Sequence, residues 1–178
     1  MSAVAILNLV VGVDACVLIE AVRLRARLDN RGRQHPSVRL LRIATTGAIT
    51  LLLVAQVLRE AEENLRQADD PDVATADLQA LHQLLDRCDV VHCADAADQQ
   101  LAADHEPFWQ IMRHDADACI AVAVKHSPTR PAFFVSSNSE HWPPSSADNE
   151  RGQRLAEALG GLSVCRPATL VRALLRLE

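Results

Sequence analysis

The sequence predicts an α/β fold with three layers (α/β/α), in which helices cover both faces of a central, mainly parallel sheet. Aliphatic runs alternate along the chain with segments of helical periodicity, and glycine or proline marks many of the boundaries. Strands that alternate with helices form parallel sheets, because each helix returns the chain to the edge where the next strand begins. The length of 178 residues suits a single domain over residues 1–178.

Five aliphatic stretches are predicted to be strands. The first two are continuous aliphatic runs, as strands that are buried on both faces require. The third and fifth are shorter, and the fourth contains Phe133 and Phe134. The predicted strands are, in chain order, residues 3–14, 48–55, 89–94, 131–137 and 162–166.

The helices are predicted from their periodicity and from the residues that begin and end them. Pro36 and Pro167 suit first helical turns, and Gly47 and Gly160 suit helix ends. The acidic stretch 68–77, which contains a proline, is predicted to be a loop. The predicted helices are a segment directly after Asp14 and residues 35–47, 56–67, 76–88, 114–126, 151–161 and 167–178.

Composition and charge narrow the classes of function. Because 49% of the residues are hydrophobic and only 23% are charged, a chain that is disordered throughout is disfavoured. The net charge of −5 argues against a protein that attracts nucleic acid over its whole surface, although a local basic face is compatible with it. The sequence contains no glycine-rich phosphate loop, dinucleotide fingerprint or nucleophile elbow.

The cysteines and the apolar runs predict a cytoplasmic protein with no membrane partner. Five cysteines at irregular spacings favour reduced thiols over a disulfide framework. The apolar start of the chain lacks the basic region of a signal peptide, and Asp14 interrupts it. No other run approaches the length of a membrane span.

Three acidic residues are predicted to meet at the edge of the sheet where the strands end. Asp14 ends the first strand, Glu60 lies early in the helix after the second strand, and Asp117 begins the helix after the third. Ligands of open parallel sheets gather at this edge. Three carboxylates placed there repel one another, and a divalent cation is the usual compensation. Oxygen ligands favour Mg²⁺ or Mn²⁺.

Helix capping is the alternative role for each of these acids, because Asp and Glu are common at helix N-termini. Asp115 is predicted to be such a cap. Asp117 differs from it, because Asp117, Ile120 and Val124 fall on one inward face of the helix. A carboxylate that faces the interior needs a partner, and a shared metal ion would supply one.

Four motifs, in this order, resemble those of the PIN-domain nucleases, the fold of the VapC-type toxins of bacterial toxin–antitoxin pairs. The first, VVGVDACVLIEA, gives Asp14, and the second, VLREAEENL, gives Glu60. The third, DACIAVAV, gives Asp117. The fourth, FFVSSNSEHW, gives Ser136, Asn138, His141 and Trp142. The resemblance covers most of the chain.

The resemblance implies an endoribonuclease that depends on Mg²⁺ or Mn²⁺ and hydrolyses RNA phosphodiester bonds. It also makes the toxin of a toxin–antitoxin pair a candidate role for the protein. Asp14, Glu60 and Asp117 would hold the metal, which would activate water and stabilise charge on the phosphate. Ser136 and Asn138 would position water or a phosphate oxygen through hydrogen bonds. RNA would then be the substrate and an antitoxin protein a partner, and the family also allows a homodimer.

Two features keep a second hypothesis open, that of a catalytically inactive PIN-like module that binds RNA or another protein. Asn138 stands where the family often has a fourth acid, and the net charge of −5 also favours this alternative. The three intact acids favour the enzyme. The sequence departs from the family further at Cys16, where a polar residue is common, and in additional residues around 66–110.

Three other features each have two interpretations. His114 is interpreted as a surface histidine, with a contact to substrate as the alternative, and Trp142 either lines the rim of the site or belongs to the core. The densest basic segment either contacts RNA phosphates or an acidic partner, or is a solvated face. It contains Arg23, Arg25, Arg27, Arg31 and Arg33.

Overall fold

The computed structural model describes residues 9–176. Within them, five strands form one sheet. The strands are β1 (Leu9–Val13), β2 (Ile49–Val54), β3 (Val90–Cys93), β4 (Phe133–Val135) and β5 (Ser163–Cys165). Their order across the sheet is β3-β2-β1-β4-β5, and every neighbouring pair is parallel. The predicted parallel α/β fold is therefore confirmed.

Helices connect the strands and follow the last one. In the described part of the chain they are α1 (Ala15–Arg23), α2 (Pro36–Ala44), α3 (Ala55–Arg66), α4 (Pro71–Leu85), α5 (Asp98–Met112), α6 (Asp115–His126), α7 (Glu150–Ala158) and α8 (Pro167–Leu174). Among these helices, none is both long enough and apolar enough to cross a membrane.

The strand order explains why helices lie in two layers. From β1 the chain adds β2 and then β3 on one side, and it then returns to add β4 and β5 on the other side of β1. Right-handed crossovers place helices on opposite faces when the winding direction reverses in this way. The contacts agree, because α1 packs against α2, α3 and α4, whereas α5 packs against α6 and α7. The predicted three-layer arrangement is confirmed.

The reversal of winding also creates a crevice between β1 and β4, at the edge where these strands end. Asp14 directly follows β1, and Ser136 directly follows β4. The backbone N–H of Asp14 donates to the carbonyl of Val135 over 3.0 Å, which continues the pairing of the two strands by one step. The topology therefore brings two predicted site residues together although 122 positions separate them.

The core is aliphatic, as expected for a chain with 3% aromatic residues. Its largest fully buried side chains include Phe108, Phe134 and Trp142. The rings of Phe134 and Trp142 stack with their centroids 4.0 Å apart. Phe134 lies on β4 directly opposite Gly12 of β1, so this stacked pair packs beside the two strands that end at the crevice.

Two local expectations from the sequence are wrong. Most of the predicted loop over residues 68–77 belongs to α4, which begins at Pro71 with Asp70 as its N-cap. A capping aspartate followed by proline is a helix start, and this signal outweighs the loop-like composition. Helix α5 was not predicted, because its apolar residues form no clear stripe and Pro107 lies inside it. The predicted strand and helix ends at residues 3–8 and 177–178 lie outside the described residues.

Gly12 permits the close contact between β1 and β4. A Cβ atom at this position would lie 2.6 Å from Cδ2 of Phe134. Phe134 is fully buried and stacks on Trp142, so it has little freedom to move aside. We expect Gly12→Ala to lower the free energy of unfolding by about 1–3 kcal/mol, as measured by urea denaturation.

Phe134→Leu supplies the matched control for this prediction. Its smaller side chain leaves room for the new methyl group, so the double variant should lose less stability than the sum of the two single variants. Strictly additive losses would contradict the steric explanation.

Candidate functional site

The three predicted acids face one another across the crevice. Asp14 and Asp117 are 5% and 6% exposed, and Glu60 on α3 is half-buried. Burial raises the pKa of Asp14, and the charge of Asp117 raises it further. Burial also raises the pKa of Glu60, and the charges of Asp117 and Asp14 add to the effect. The three carboxylates are therefore close enough to repel one another.

Asp14 is held by three donors from the chain itself. Its Oδ1 accepts from the backbone N–H of Ala15 over 2.8 Å, so the side chain caps α1. Its Oδ2 accepts from the hydroxyl of Ser136 over 2.7 Å and from the thiol of Cys16 over 3.0 Å. Burial and the neighbouring Asp14 charge raise the pKa of Cys16 to about 12. Cys16 is thus a protonated donor, not a nucleophile.

Asp117 is held by one indole and two imidazoles. The Nε1–H of Trp142 donates to Oδ1 over 2.7 Å. The Nδ1 atoms of His114 and His141 lie 2.6 and 2.9 Å from Oδ2. The two imidazole rings stack with their centroids 4.2 Å apart. Trp142 is fully buried and belongs to the core. His114 lies at the surface, as predicted, and it also contacts Asp117.

The capping role predicted for Asp115 belongs to His114. His114 has the extended backbone of an N-cap, and its Nδ1 accepts from the backbone N–H of Asp117 over 3.4 Å. Asp115 is the first helical residue, its side chain is 82% exposed, and it contacts Nε2 of His105 at 3.0 Å. The cap must precede the helix, and Asp115 cannot be the cap because it is already inside the helix.

Glu60 is oriented by Gln56, one helical turn earlier on α3. The Nε2 of Gln56 donates to Oε1 of Glu60 over 2.9 Å and to the carbonyl of Ala116 over 3.3 Å. This one amide therefore ties α3 to the first turn of α6. Sequence reasoning missed Gln56, although its position four residues before Glu60 on a helix is the available signal.

The fourth predicted motif divides between the crevice and its rim. Ser136 is buried, donates to Asp14, and accepts from the backbone N–H of Asn138 over 3.0 Å. The side-chain oxygen of Asn138 accepts from the backbone N–H groups of Glu140 and His141 over 3.2 and 3.3 Å. Ser136 thus contacts an acid of the site, whereas the amide oxygen of Asn138 stabilises its own turn.

The donor set of this crevice fits a hard divalent cation. The groups available are carboxylate oxygens, which Mg²⁺ and Mn²⁺ prefer. Burial raises the pKa of Asp14 and Glu60, and a cation would relieve the repulsion that adds to this effect. The ligand atoms of the three acids do not all lie within 4.8 Å of one another. Binding would therefore require side-chain movement, for which Glu60 has the greatest freedom.

The basic segment found in the sequence lies away from this site. Arg25 pairs with Asp77 at 2.7 Å, and Arg33 pairs with Asp29 at 3.0 Å. The segment begins at Arg23, the last residue of α1, whereas Asp14 caps the N-terminal end of this helix. These arginines therefore serve local structure more than the crevice.

Other arginines lie nearer to the crevice and were missed. Arg166 directly follows β5, at the same edge of the sheet, and donates to the hydroxyl of Ser139 over 3.0 Å. Arg113 immediately precedes His114 and shares a groove with Arg151. The position of Arg166 after a strand was the available sequence signal.

Solved structures of two proteins resemble this fold. One is the structure of VapBC2 from Rickettsia felis bound to a promoter DNA fragment. One of its chains is 10% identical to this chain, with a TM-score of 0.53, and the match covers 89% of this chain and 98% of that one. PAE2754 from Pyrobaculum aerophilum is 15% identical with a TM-score of 0.53, over 95% and 91% of the two chains. The likeness confirms the PIN-domain fold. No family model matches the sequence, and no curated protein matches it.

The hydrogen bond from Trp142 to Asp117 is expected to contribute measurably to stability. Trp142→Phe keeps an aromatic ring but removes the N–H group, which leaves a buried carboxylate oxygen without its donor. We expect a loss of about 1–3 kcal/mol in the free energy of unfolding, measured by urea denaturation.

Trp109→Phe is the matched control, because Trp109 is 41% exposed and lies on α5. This variant should change stability by less than about 0.5 kcal/mol. Equal losses in the two variants would show that ring size, rather than the hydrogen bond, determines the effect.

Proposed function

We propose that the chain is an endoribonuclease that depends on Mg²⁺ or Mn²⁺ and cleaves RNA phosphodiester bonds at the crevice between β1 and β4. One observation carries this proposal. Asp14, Glu60 and Asp117 come from three separate elements and meet at one crevice, where the charge of Asp117 adds to burial in raising the pKa of both Asp14 and Glu60. Such an arrangement lowers the stability of the fold in the absence of a cation. A metal-dependent hydrolase requires this arrangement, because the acids would bind its metal ion.

The chain's own residues would hold the ion and keep the acids in place. Asp14, Glu60 and Asp117 would supply its oxygen ligands, and the bound ion would supply an activated water and charge stabilisation for the phosphate. Ser136 fixes Oδ2 of Asp14, and Trp142 fixes Oδ1 of Asp117. These contacts orient the carboxylates before the substrate arrives, which lowers the cost of assembling the site.

The RNA backbone would be held by cations near the crevice, since the net charge of −5 provides no general attraction. Arg166 lies at the same edge of the sheet as Asp14. Arg113, which directly precedes His114, lines a groove with Arg151 and Arg154. Phosphate groups held by Arg166 or by this groove would keep the RNA near the acids.

We further propose an antitoxin partner, as in a toxin–antitoxin pair. The similar VapBC2 structure contains a complex bound to promoter DNA. In the present chain, a groove of about 630 Å³ runs between α1, α2 and α4. Its apolar floor includes Val22 and Leu41, and its rim carries Arg25, Arg42 and Arg87. This combination suits a partner segment with apolar and acidic side chains.

A catalytically inactive module that binds RNA or protein is the second candidate function. Two observations favour it. The oxygen of Asn138 is engaged in its own turn, and two imidazoles already contact Oδ2 of Asp117. Both observations reduce the number of free ligand atoms in the crevice.

Cleavage of a mixed RNA pool in millimolar Mg²⁺ or Mn²⁺ tests the enzyme against the module. Asp14→Asn, Glu60→Gln and Asp117→Asn should each lower kcat/KM by about 100-fold or more, because each removes a charge that the ion requires. Ser136→Ala should cost about tenfold, since it only orients Asp14.

Asp115→Asn provides the control on the same helix, because the Asp115 side chain is 82% exposed and contacts His105 rather than the crevice. This variant should retain the activity of the unaltered chain. A loss in Asp115→Asn with none in Asp117→Asn would show that the site is assigned to the wrong face of α6. A chain that cleaves no RNA in either metal would favour the module.

A further inference from the structure

Two histidines approach the same carboxylate oxygen from different parts of the chain. His114 is the last residue before α6, and His141 lies in the loop after β4. Their Nδ1 atoms are 2.6 and 2.9 Å from Oδ2 of Asp117. The ligand atoms of all three residues lie within 4.8 Å of one another. The cluster is thus compact enough to surround a single ion.

Neighbouring contacts hold the three side chains in this orientation. Trp142 binds Oδ1 of Asp117, so only Oδ2 is presented to the imidazoles. The two rings stack at an interplanar angle of 14°, which aligns their Nδ1 atoms on one side. The Nδ2 of Asn138 lies 3.1 Å from Nδ1 of His141. Ligands that are oriented in advance by surrounding contacts bind metal more tightly.

A neutral imidazole carries a lone pair on one ring nitrogen and its proton on the other. Nδ1 of His114 accepts from the backbone N–H of Asp117 over 3.4 Å, so it carries the lone pair, and its proton belongs to Nε2. A divalent cation shared by the three residues would be held by the Nδ1 lone pairs and by Oδ2 of Asp117, with the imidazole protons kept on Nε2. Two imidazole nitrogens and one carboxylate oxygen suit Zn²⁺, Co²⁺ and related ions better than Mg²⁺, which prefers oxygen ligands throughout.

We propose that His114, His141 and Asp117 form a second metal site, specific for a first-row transition-metal ion such as Zn²⁺ or Co²⁺. Ligands that share a tetrahedral ion at about 2.0–2.1 Å lie about 3.3 Å apart. The imidazoles must therefore move away from Oδ2 by about half an ångström. Their side chains are 47% and 26% exposed, which leaves room for this movement.

The proposed site goes beyond the nuclease and does not depend on it, because it requires neither RNA nor the other two acids. The sites share Asp117, however. An ion held by the imidazoles would draw Oδ2 away from the crevice, so Zn²⁺ at this site would inhibit a nuclease that needs Asp117 for Mg²⁺. The imidazole site would then act as a metal-dependent switch on the acidic site.

Co²⁺ titration followed by visible absorption tests the proposal on the purified chain without RNA. Co²⁺ gives intense d–d bands when its coordination is tetrahedral or five-coordinate. We expect a single saturable site in the unaltered chain and at least a tenfold weaker affinity in His114→Asn and in His141→Gln. Asparagine at position 114 retains an N-cap for α6, so loss of binding cannot be attributed to a lost cap.

Two variants serve as matched controls and should keep the bands. Asp14→Asn alters only the acidic site, and His126→Ala removes another histidine that contacts a carboxylate, that of Asp104 at 2.6 Å. Circular dichroism and thermal melting check that every variant is folded. If the chain shows the Co²⁺ bands but cleaves no RNA, the result would support the imidazole site and would overturn only the proposed nuclease activity.

Several results would overturn the proposal. The first is the absence of saturable bands at millimolar Co²⁺. The second is either of two results with the variants, namely bands that persist in both histidine variants or bands that are lost in Asp14→Asn. The third is a near-ultraviolet thiolate band that disappears in Cys119→Ser, because the ion would then occupy the cluster formed by His105, Asp115 and Cys119.

Discussion

Repulsion among buried carboxylates is the constraint on which the organisation of the crevice depends. Asp14 and Asp117 are more than nine-tenths buried, and a buried charge without partners is costly. The chain meets this cost with an amide, a hydroxyl and a thiol at Asp14, and with an indole and two imidazoles at Asp117. These contacts orient the acids while the mutual repulsion persists, and this remaining repulsion is the basis of the proposed cation site.

The parallel sheet makes this concentration of charge possible. β2 and β4 lie on opposite sides of β1 in the sheet. The crevice at the end of β1 therefore receives residues from both of these neighbouring strands and from the helices that follow them. β1 supplies Asp14, the helix after β2 supplies Glu60, and β4 supplies Ser136. The stacked pair of Phe134 and Trp142 then connects the core directly to Asp117, so packing and polar geometry are coupled.

Sequence reasoning predicted the strands and the three acids because a hydrophobic run and the residues that end it are neighbours in the sequence. It missed α5, whose apolar residues form no clear stripe and which packs against α6 and α7. It assigned the cap of α6 to Asp115 because carboxylates cap helices more often than imidazoles do. The hydrogen bond from Trp142 to Asp117 joins residues 25 positions apart, and only the tertiary structure reveals it.

Mn²⁺ calorimetry tests the central claim, that the acids form a metal site, most directly. The comparison is between the unaltered chain and the Asp14→Asn/Glu60→Gln double variant, which keeps His114 and His141 and therefore any ion that they hold. We predict saturable binding in the unaltered chain and the loss of a binding event in the double variant. Identical isotherms for the two proteins, or no saturable binding at millimolar Mn²⁺, would contradict the account.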